Sequence, residues 1–285
     1  MRELLLTAEP SEDNMTALDF LRARGFSRRM VTVLKRSGGL TRGGELLRSV
    51  DRVREGDLIR VVMEDRGGAV PNGNIRVEAV YEDEDIIIYD KPPFLAVHPS
   101  IRHYDDTLAN AFAARFPDIP FRPINRLDRD TSGLCVCAKN RLAAAGLAEL
   151  KKVYFAVVMG NVERGGTVDL PIARESESII KRCVRSDGKS AVTHYEPIER
   201  VNGRTLLKIR LETGRTHQIR VHMSHIGYPL CGDRLYGGDG SIDRQALHCG
   251  ETELIHPVTR EVVRVSAPLP EDIRSLLQLK GALDG

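Results

Sequence analysis

The chain has 285 residues, 41% of them apolar and 29% charged, with a net charge of +2. This composition excludes a disordered polyelectrolyte, and the length suits one large core or a medium domain with a small accessory one. No apolar run approaches membrane-spanning length, and the three leucines at Leu4-Leu5-Leu6 are too few for a signal-peptide core. The five cysteines, Cys135, Cys137, Cys183, Cys231 and Cys249, are odd in number and form no C-x-x-C pair. They point to a reducing cytoplasm and to no structural zinc.

Residues 2–8 read as a short strand. Thr16 with Asp19 resembles a capping box, Leu18 and Leu21 give an apolar face, and Gly25 is placed to close a first helix. A second helix starts at Ser27 and runs from Arg28 to about Ser37. It buries Met30, Val31 and Leu34 and turns Arg28, Arg29, Lys35 and Arg36 outward. Between Arg22 and Arg48, eight bases stand against one acid, Glu45. A turn at Arg42-Gly43-Gly44 and the alternating strand Leu58 to Val62 complete the unit. Its element order resembles the S-four RNA-binding module, with Arg-Gly-Gly where that module usually has Asn-Gly. The resemblance implies that Arg28, Arg29, Lys35 and Arg36 bind RNA phosphates, with an affinity that falls as salt rises. The competing reading is a capping domain with a solvated basic face. The module is assigned to 1–66, and the Gly- and Pro-punctuated 67–76 to a linker.

The remainder, 77–285, reads as one domain. A strand at Val77 to Val80, an acidic turn at 82–85 and the continuous apolar strand Ile86 to Tyr89 come first. His98, a lone histidine before proline, is given a structural role. A helix is expected over Thr107 to Phe116, a buried strand over Leu134 to Ala138 and an alanine-rich helix over Arg141 to Leu150. In the strand from Lys151 to Gly160, Val153, Phe155 and Val157 alternate with Lys152, Tyr154 and Ala156. Lys152 and Tyr154 thus share a face, although Tyr154 alone reads equally well as a core aromatic. More strands follow, with Asp187-Gly188 as a hairpin turn, then a helix carrying Ile219, Met223 and Ile226, and a last helix from Ile273 to about Lys280. The many strands and few helices indicate α+β, with a mixed, largely antiparallel sheet behind the small α/β module. His217, His222 and His225 fit no metal-binding pattern, and there is no glycine-rich phosphate loop, so neither metal nor nucleotide cofactor is expected.

The most informative stretch is Pro123-Ile124-Asn125-Arg126-Leu127-Asp128-Arg129-Asp130-Thr131-Ser132-Gly133-Leu134, two carboxylates set among arginines. By itself it also reads as a turn whose side chains bond nearby amides. Taken with Lys152-x-Tyr154, Gly214-Arg215-Thr216-His217-Gln218-Ile219-Arg220, Gly232-Asp233-x-x-Tyr236-Gly237 and the tail from Leu247-His248 to Pro270, it resembles the RluA-type family of RNA pseudouridine synthases, in that family's order over roughly 75–275.

The resemblance implies isomerisation of uridine in structured RNA without a cofactor. Ribosomal RNA is the favoured partner and transfer RNA the second candidate, with no membrane and a monomer as the default. By the same resemblance Asp128 is the essential catalytic group, Arg215 its ion-pair partner, and Tyr154 the aromatic beside the uracil that assists proton removal. Arg126 fills the gap left by the flipped base, and Lys152, Thr131, His217 and Gln218 are assigned to substrate. A carboxylate beside a guanidinium stays ionised and anchored, as a nucleophile or base near the anomeric carbon requires. Two departures stand out: Asn125 occupies a place where many relatives have histidine, and the segment before Lys152 is short. The other readings are an RNA-binding protein without catalysis, and a two-carboxylate glycoside hydrolase pairing Asp128 with Asp130.

Overall fold

A computed structural model describes residues 2–63, 69–100, 103–147, 149–175 and 180–277. The first sixty or so residues form β1 (Arg2–Thr7), α1 (Ala17–Ala23), α2 (Arg28–Arg36), β2 (Leu40–Arg42), β3 (Glu45–Leu46) and β4 (Leu58–Met63). The strands make an antiparallel sheet in the order β1-β4-β2-β3. Both helices start on side-chain caps: the Thr16 hydroxyl accepts the Asp19 amide at 3.1 Å, and the Ser27 hydroxyl accepts that of Met30 at 3.2 Å. Met30, Val31 and Leu34 bury the inner face of α2 against Phe20, Ile59 and Val61, while Arg28, Lys35 and Arg36 are exposed on the outer face. The side chain of Arg29 lies outside the described residues. Leu142 and Val258 join this small core from far along the chain, so the module packs against the larger part of the protein.

Of the expected linker, residues 69–76 are described, and they are tied down. Asn110 Nδ2 donates to the Val70 carbonyl at 2.8 Å, and the Asn72 amide donates to the Asn110 carbonyl at 3.0 Å.

The second sheet is built from β5 (Glu78–Glu82), β6 (Ile86–Lys91), β7 (Arg122–Pro123), β8 (Ser132–Ala138), β9 (Leu150–Met159), β10 (Gly166–Asp169), β13 (Val192–Val201), β14 (Arg204–Leu211), β15 (Leu247–Ile255) and β16 (Val262–Ser266). Strands β11 (Ile172–Arg174) and β12 (Arg182–Val184) pair separately. The order is β10-β13-β14-β9-β15-β8-β6-β5, with β16 on β15 and β7 on β8. One pair, β15 with β8, is parallel and the others are antiparallel, which is the mixed α+β sheet expected. Helices α3 (Leu108–Arg115), α4 (Arg141–Gly146), α5 (Gln218–His225) and α6 (Glu271–Leu276) pack around it.

The central strands are buried on both faces. Every residue of β8 is buried, and in β9 Tyr154, Ala156 and Val158 belong to the main core while Val157 packs in a separate cluster with Leu206 and Ile273. At the parallel junction Gly133 has φ +109°, and a Cβ there would stand 2.3 Å from the Cys249 carbonyl oxygen, so only glycine fits.

Three expectations about elements change. Helix α4 stops at Gly146, where a Cβ would meet Pro257, and Leu150 already belongs to β9. Gly188 does close a turn, donating to the Arg185 carbonyl at 2.9 Å, but β12 pairs with β11, so the turn joins no hairpin. The stretch that reads in sequence as two short strands, around Ala246 to Leu247 and Thr252 to His256, forms one strand, β15, with a register shift between Cys249 and Glu251. Beyond Leu277 the expected last helix lies outside the described residues.

Candidate active site

Asp128 sits on the loop between β7 and β8. Asn125 fastens the start of that loop, its side-chain amide donating to the Leu134 carbonyl at 3.0 Å and accepting from the Val136 amide at 2.8 Å. Asn125 therefore stands in for a strand partner of β8, which accounts for an amide at this position. The Thr131 amide closes the turn on the Asp128 carbonyl at 3.1 Å, and the Thr131 hydroxyl accepts from Gln245 at 3.0 Å.

Two buried cations hold the loop from beneath. The Lys91 ammonium donates to the carbonyls of Pro92, at 2.8 Å, and Arg129, at 3.1 Å. Arg244, paired twice with Asp272 of α6, reaches the Asp130 carbonyl at 3.3 Å. Burial lowers the pKa of Lys91 to about 8. Neither cation is legible in the sequence, since nothing local marks a lysine before Pro-Pro or a lone arginine as buried.

The partner of Asp128 is Arg220, not Arg215. Arg220 Nη1 lies 3.2 Å from Asp128 Oδ2, and the same guanidinium makes bonds of 2.6 and 2.8 Å to Asp233. Burial works against the charge on Arg220, but Asp233 and Asp128 outweigh it and its pKa is raised. Arg215 comes before the helix, is exposed, and donates through Nε to the Ser190 carbonyl at 2.9 Å, although it still lines the cleft. Arg220 lies in the first turn of α5 beside buried Ile219 and is thereby carried under the loop. Both Arg220 and Asp233 belong to the motifs that carry the family resemblance, where neither had a role.

His217, held at φ +58° ahead of α5, places Nε2 3.8 Å from Asp128 Oδ2 while Nδ1 meets the Tyr236 hydroxyl at 2.8 Å. Burial lowers its pKa.

Gln218 does not present itself to a ligand. It is buried, its oxygen accepts from the Thr213 hydroxyl and the Arg215 amide, each at 2.9 Å, and its nitrogen donates to the Val192 carbonyl and the Thr193 hydroxyl. With both side-chain donors and both lone-pair directions engaged, it pins the 213–218 loop to β13.

A cavity of about 60 Å³ lined by Asp128, Thr131, Tyr154, His217 and Arg220 opens into a cleft of about 510 Å³ that reaches Lys152 and His98. Arg126, exposed, lines both. His98 packs edge-on to Phe121 at 5.3 Å. Tyr154 is 7% exposed, and burial, with the thiol of Cys249 and the charge of Asp128, raises its pKa well above the ordinary phenol value. The two readings of Tyr154 thus merge: it packs in the core and lines the cavity as a neutral phenol. Burial lowers the pKa of Lys152. The site therefore offers one partly exposed carboxylate, anchored by a buried guanidinium, beside a neutral phenol and a mouth lined with cations. Asp130 turns away to Arg129, at 2.6 Å.

Among the described residues, Asp83, Asp85 and His256 bring three potential ligand atoms within 4.8 Å of one another. They lie at the opposite end of β6 from Lys91. Tyr81 and two backbone amides already bond Asp83, and Asn140 bonds Asp85, so the cluster ties the turn at His256 to the β5–β6 hairpin.

Residues 85–225 match the family described as RNA pseudouridylate synthase. The chain is 41% identical over 279 residues to ribosomal large subunit pseudouridine synthase D of Xanthomonas campestris pv. campestris, covering 88% of this chain and 84% of that one. With the protein of the same name from Pseudomonas aeruginosa it shares 42% over 270 residues, covering 86% and 84% of the two chains. With the RNA pseudouridine synthase YjbO of Bacillus subtilis it shares 39% over 279 residues, covering 93% and 99%. Among solved structures it is similar to human RNA pseudouridylate synthase domain containing 1, with a TM-score of 0.57 and 28% identity, covering 70% of this chain and 85% of that one.

Proposed function

The chain belongs to the RluA-type family of RNA pseudouridine synthases, and we propose that it converts specific uridines of ribosomal RNA to pseudouridine, with Asp128 as the essential group. The observation that carries this reading is the Asp128–Arg220–Asp233 arrangement at the floor of a cation-lined cleft. Ribosomal RNA is favoured because the relatives from X. campestris and P. aeruginosa carry the large ribosomal subunit in their names.

In this reading the target uridine leaves its stack and enters the cleft, at a cost of a few kcal/mol that cationic contacts offset. Arg126, exposed at the mouth, takes the vacated place. Asp128, anchored by Arg220, acts at the anomeric carbon, the bond to N1 breaks, the uracil turns, and its C5 joins the ribose. The proton lost from C5 is balanced by one gained at N1, so the isomerisation conserves atoms and electrons and calls for no redox cofactor. Tyr154, held as a neutral phenol, keeps its ring beside the base and its hydroxyl within the cavity. His217, neutral through burial, lines the same cavity beside Asp128.

The module at 1–66 serves as a second RNA contact, its exposed Arg28, Lys35 and Arg36 facing phosphates, with 77–285 as the catalytic domain. A ribosomal RNA substrate places the work in the cytoplasm. Pseudouridine mapping of total RNA from cells with and without the gene tests the proposal. One or a few large-subunit uridines should lose their signal, and an unchanged ribosomal RNA map, or losses confined to transfer RNA, would overturn it.

A further inference from the structure

A second groove of about 680 Å³ runs on from the cleft, between the start of β9, the end of β14 and strands β15 and β16. Lys152 and Leu211 line both spaces, so the two are continuous. The groove has a cause in the topology. Strand β14 pairs with β9 only as far as Arg210 opposite Val153, whereas β15 pairs with it back to Leu150. Residues 150–152 therefore have no strand partner on the β14 side. The connection from α4 to β9 is short, and none of its described residues lines the groove.

The charges there are unevenly matched. Glu253 is held by Lys151 at 2.9 Å and Arg264 at 2.7 Å, and Glu251 by Lys208 at 3.4 Å. Each acid of the groove already has a base. Arg210, exposed, and Lys152, half-buried, make no side-chain hydrogen bond or ion pair among the described residues. Two unpaired cations beside an open strand edge, continuous with a site that works on RNA, form a surface complementary to a phosphate backbone.

We propose that this groove holds the single-stranded flank of the substrate RNA on one side of the target uridine, with Arg210 and Lys152 on its phosphates. This rests on the reading that the Asp128 cleft receives that uridine. The probe is the ribosomal RNA fragment carrying the mapped site, prepared with both flanks, trimmed on the 5′ side, or trimmed on the 3′ side. Binding is measured on Asp128→Asn protein with and without Arg210→Ala. The Arg210→Ala change should weaken binding of the two-flank probe by roughly 10- to 100-fold, the size of one charge-assisted contact. It should also lower the salt slope by about 0.7, as for one phosphate of a single strand. The penalty should persist on one trimmed probe and vanish on the other, and Arg210→Lys should restore most of the binding. An equal penalty on all three probes, or none on the two-flank probe, overturns the proposal. Because binding is the readout, such a failure leaves the chemistry assigned to Asp128 standing, while turnover by the Asp128→Asn protein would refute that chemistry and leave the groove standing.

Discussion

Arg220 bonds both a buried carboxylate, Asp233, and the proposed catalytic one, Asp128, and replacing it separates stability from chemistry. Its side chain, 9% exposed, bonds Asp233 twice and Asp128 once, and the Asp233 side chain is 1% exposed. In Arg220→Met the buried Asp233 loses its counterion, which costs about 3–5 kcal/mol. For a chain of this size each kcal/mol moves the melting temperature by about 2–4 °C, so Tm should fall by roughly 10 °C. Asp128 also loses a charge-assisted bond of about 1.5–3 kcal/mol, which corresponds to roughly 10- to 100-fold in single-turnover rate if the bond persists in the transition state. The double variant Arg220→Met/Asp233→Leu removes the orphaned charge, and apolar replacement of a buried pair is often neutral. Its Tm should return most of the way while its rate stays low, as read by thermal unfolding and single-turnover assays at saturating RNA. A double variant that regains the rate would show that Arg220 acts on Asp128 only through the fold, and one that stays as unstable as the single variant would refute the buried-charge argument.

Gln218→Leu leaves the partners of four hydrogen bonds unpaired and should cost about 2–4 kcal/mol, visible in urea unfolding. A loss of RNA affinity with unchanged stability would instead make Gln218 a substrate contact. Tyr154→Phe retains the packed ring, so Tm should barely move, while the proposed part of its hydroxyl in proton transfer predicts a rate lower by about 10² or more. A rate close to that of the parent would remove the hydroxyl from the chemistry. Buried His248, whose Nδ1 lies 3.0 Å from the Ser132 hydroxyl, has its pKa lowered by burial from 6.5 to about 4. Below pH 6.5 the unfolded chain takes up a proton that the folded ring refuses until about pH 4. Stability therefore falls across that window by up to about 3 kcal/mol. His248→Gln should flatten the unfolding profile there, and an unchanged profile would contradict the assignment.

The parts of the fold legible in the sequence are those with local causes. Helix α2 declares its start through Ser27 and its inner face through Met30, Val31 and Leu34, and β8 is a continuous apolar run with nowhere to sit but the middle of a sheet. The continuity of β15 is harder to read, because Gly250 suggests an ending, whereas the strand runs on and β16 takes over from β8 as its neighbour. In the site, Asp128, Tyr154, Arg126 and Lys152 are brought together around one cleft, as the motifs suggested. Which arginine meets Asp128 was not legible, since it depends on how α5 is rotated. That rotation is set by Gln218 reaching across to β13 and by His217 at positive φ, neither of which leaves a pattern in the chain. Lys91 and Arg244 escaped for a similar reason. They are buried cations whose partners are backbone carbonyls and a carboxylate far away in sequence.

The proposed role of Asp128 is tested most directly by the single-turnover rate of Asp128→Asn on a ribosomal RNA fragment carrying the mapped site, with binding measured alongside. Asparagine keeps the size and a hydrogen-bonding oxygen toward Arg220 but not the charge or the nucleophilic oxygen. RNA binding should stay close to that of the parent protein, with no detectable pseudouridine. Formation of pseudouridine by the variant at an appreciable fraction of the parent rate would contradict that role.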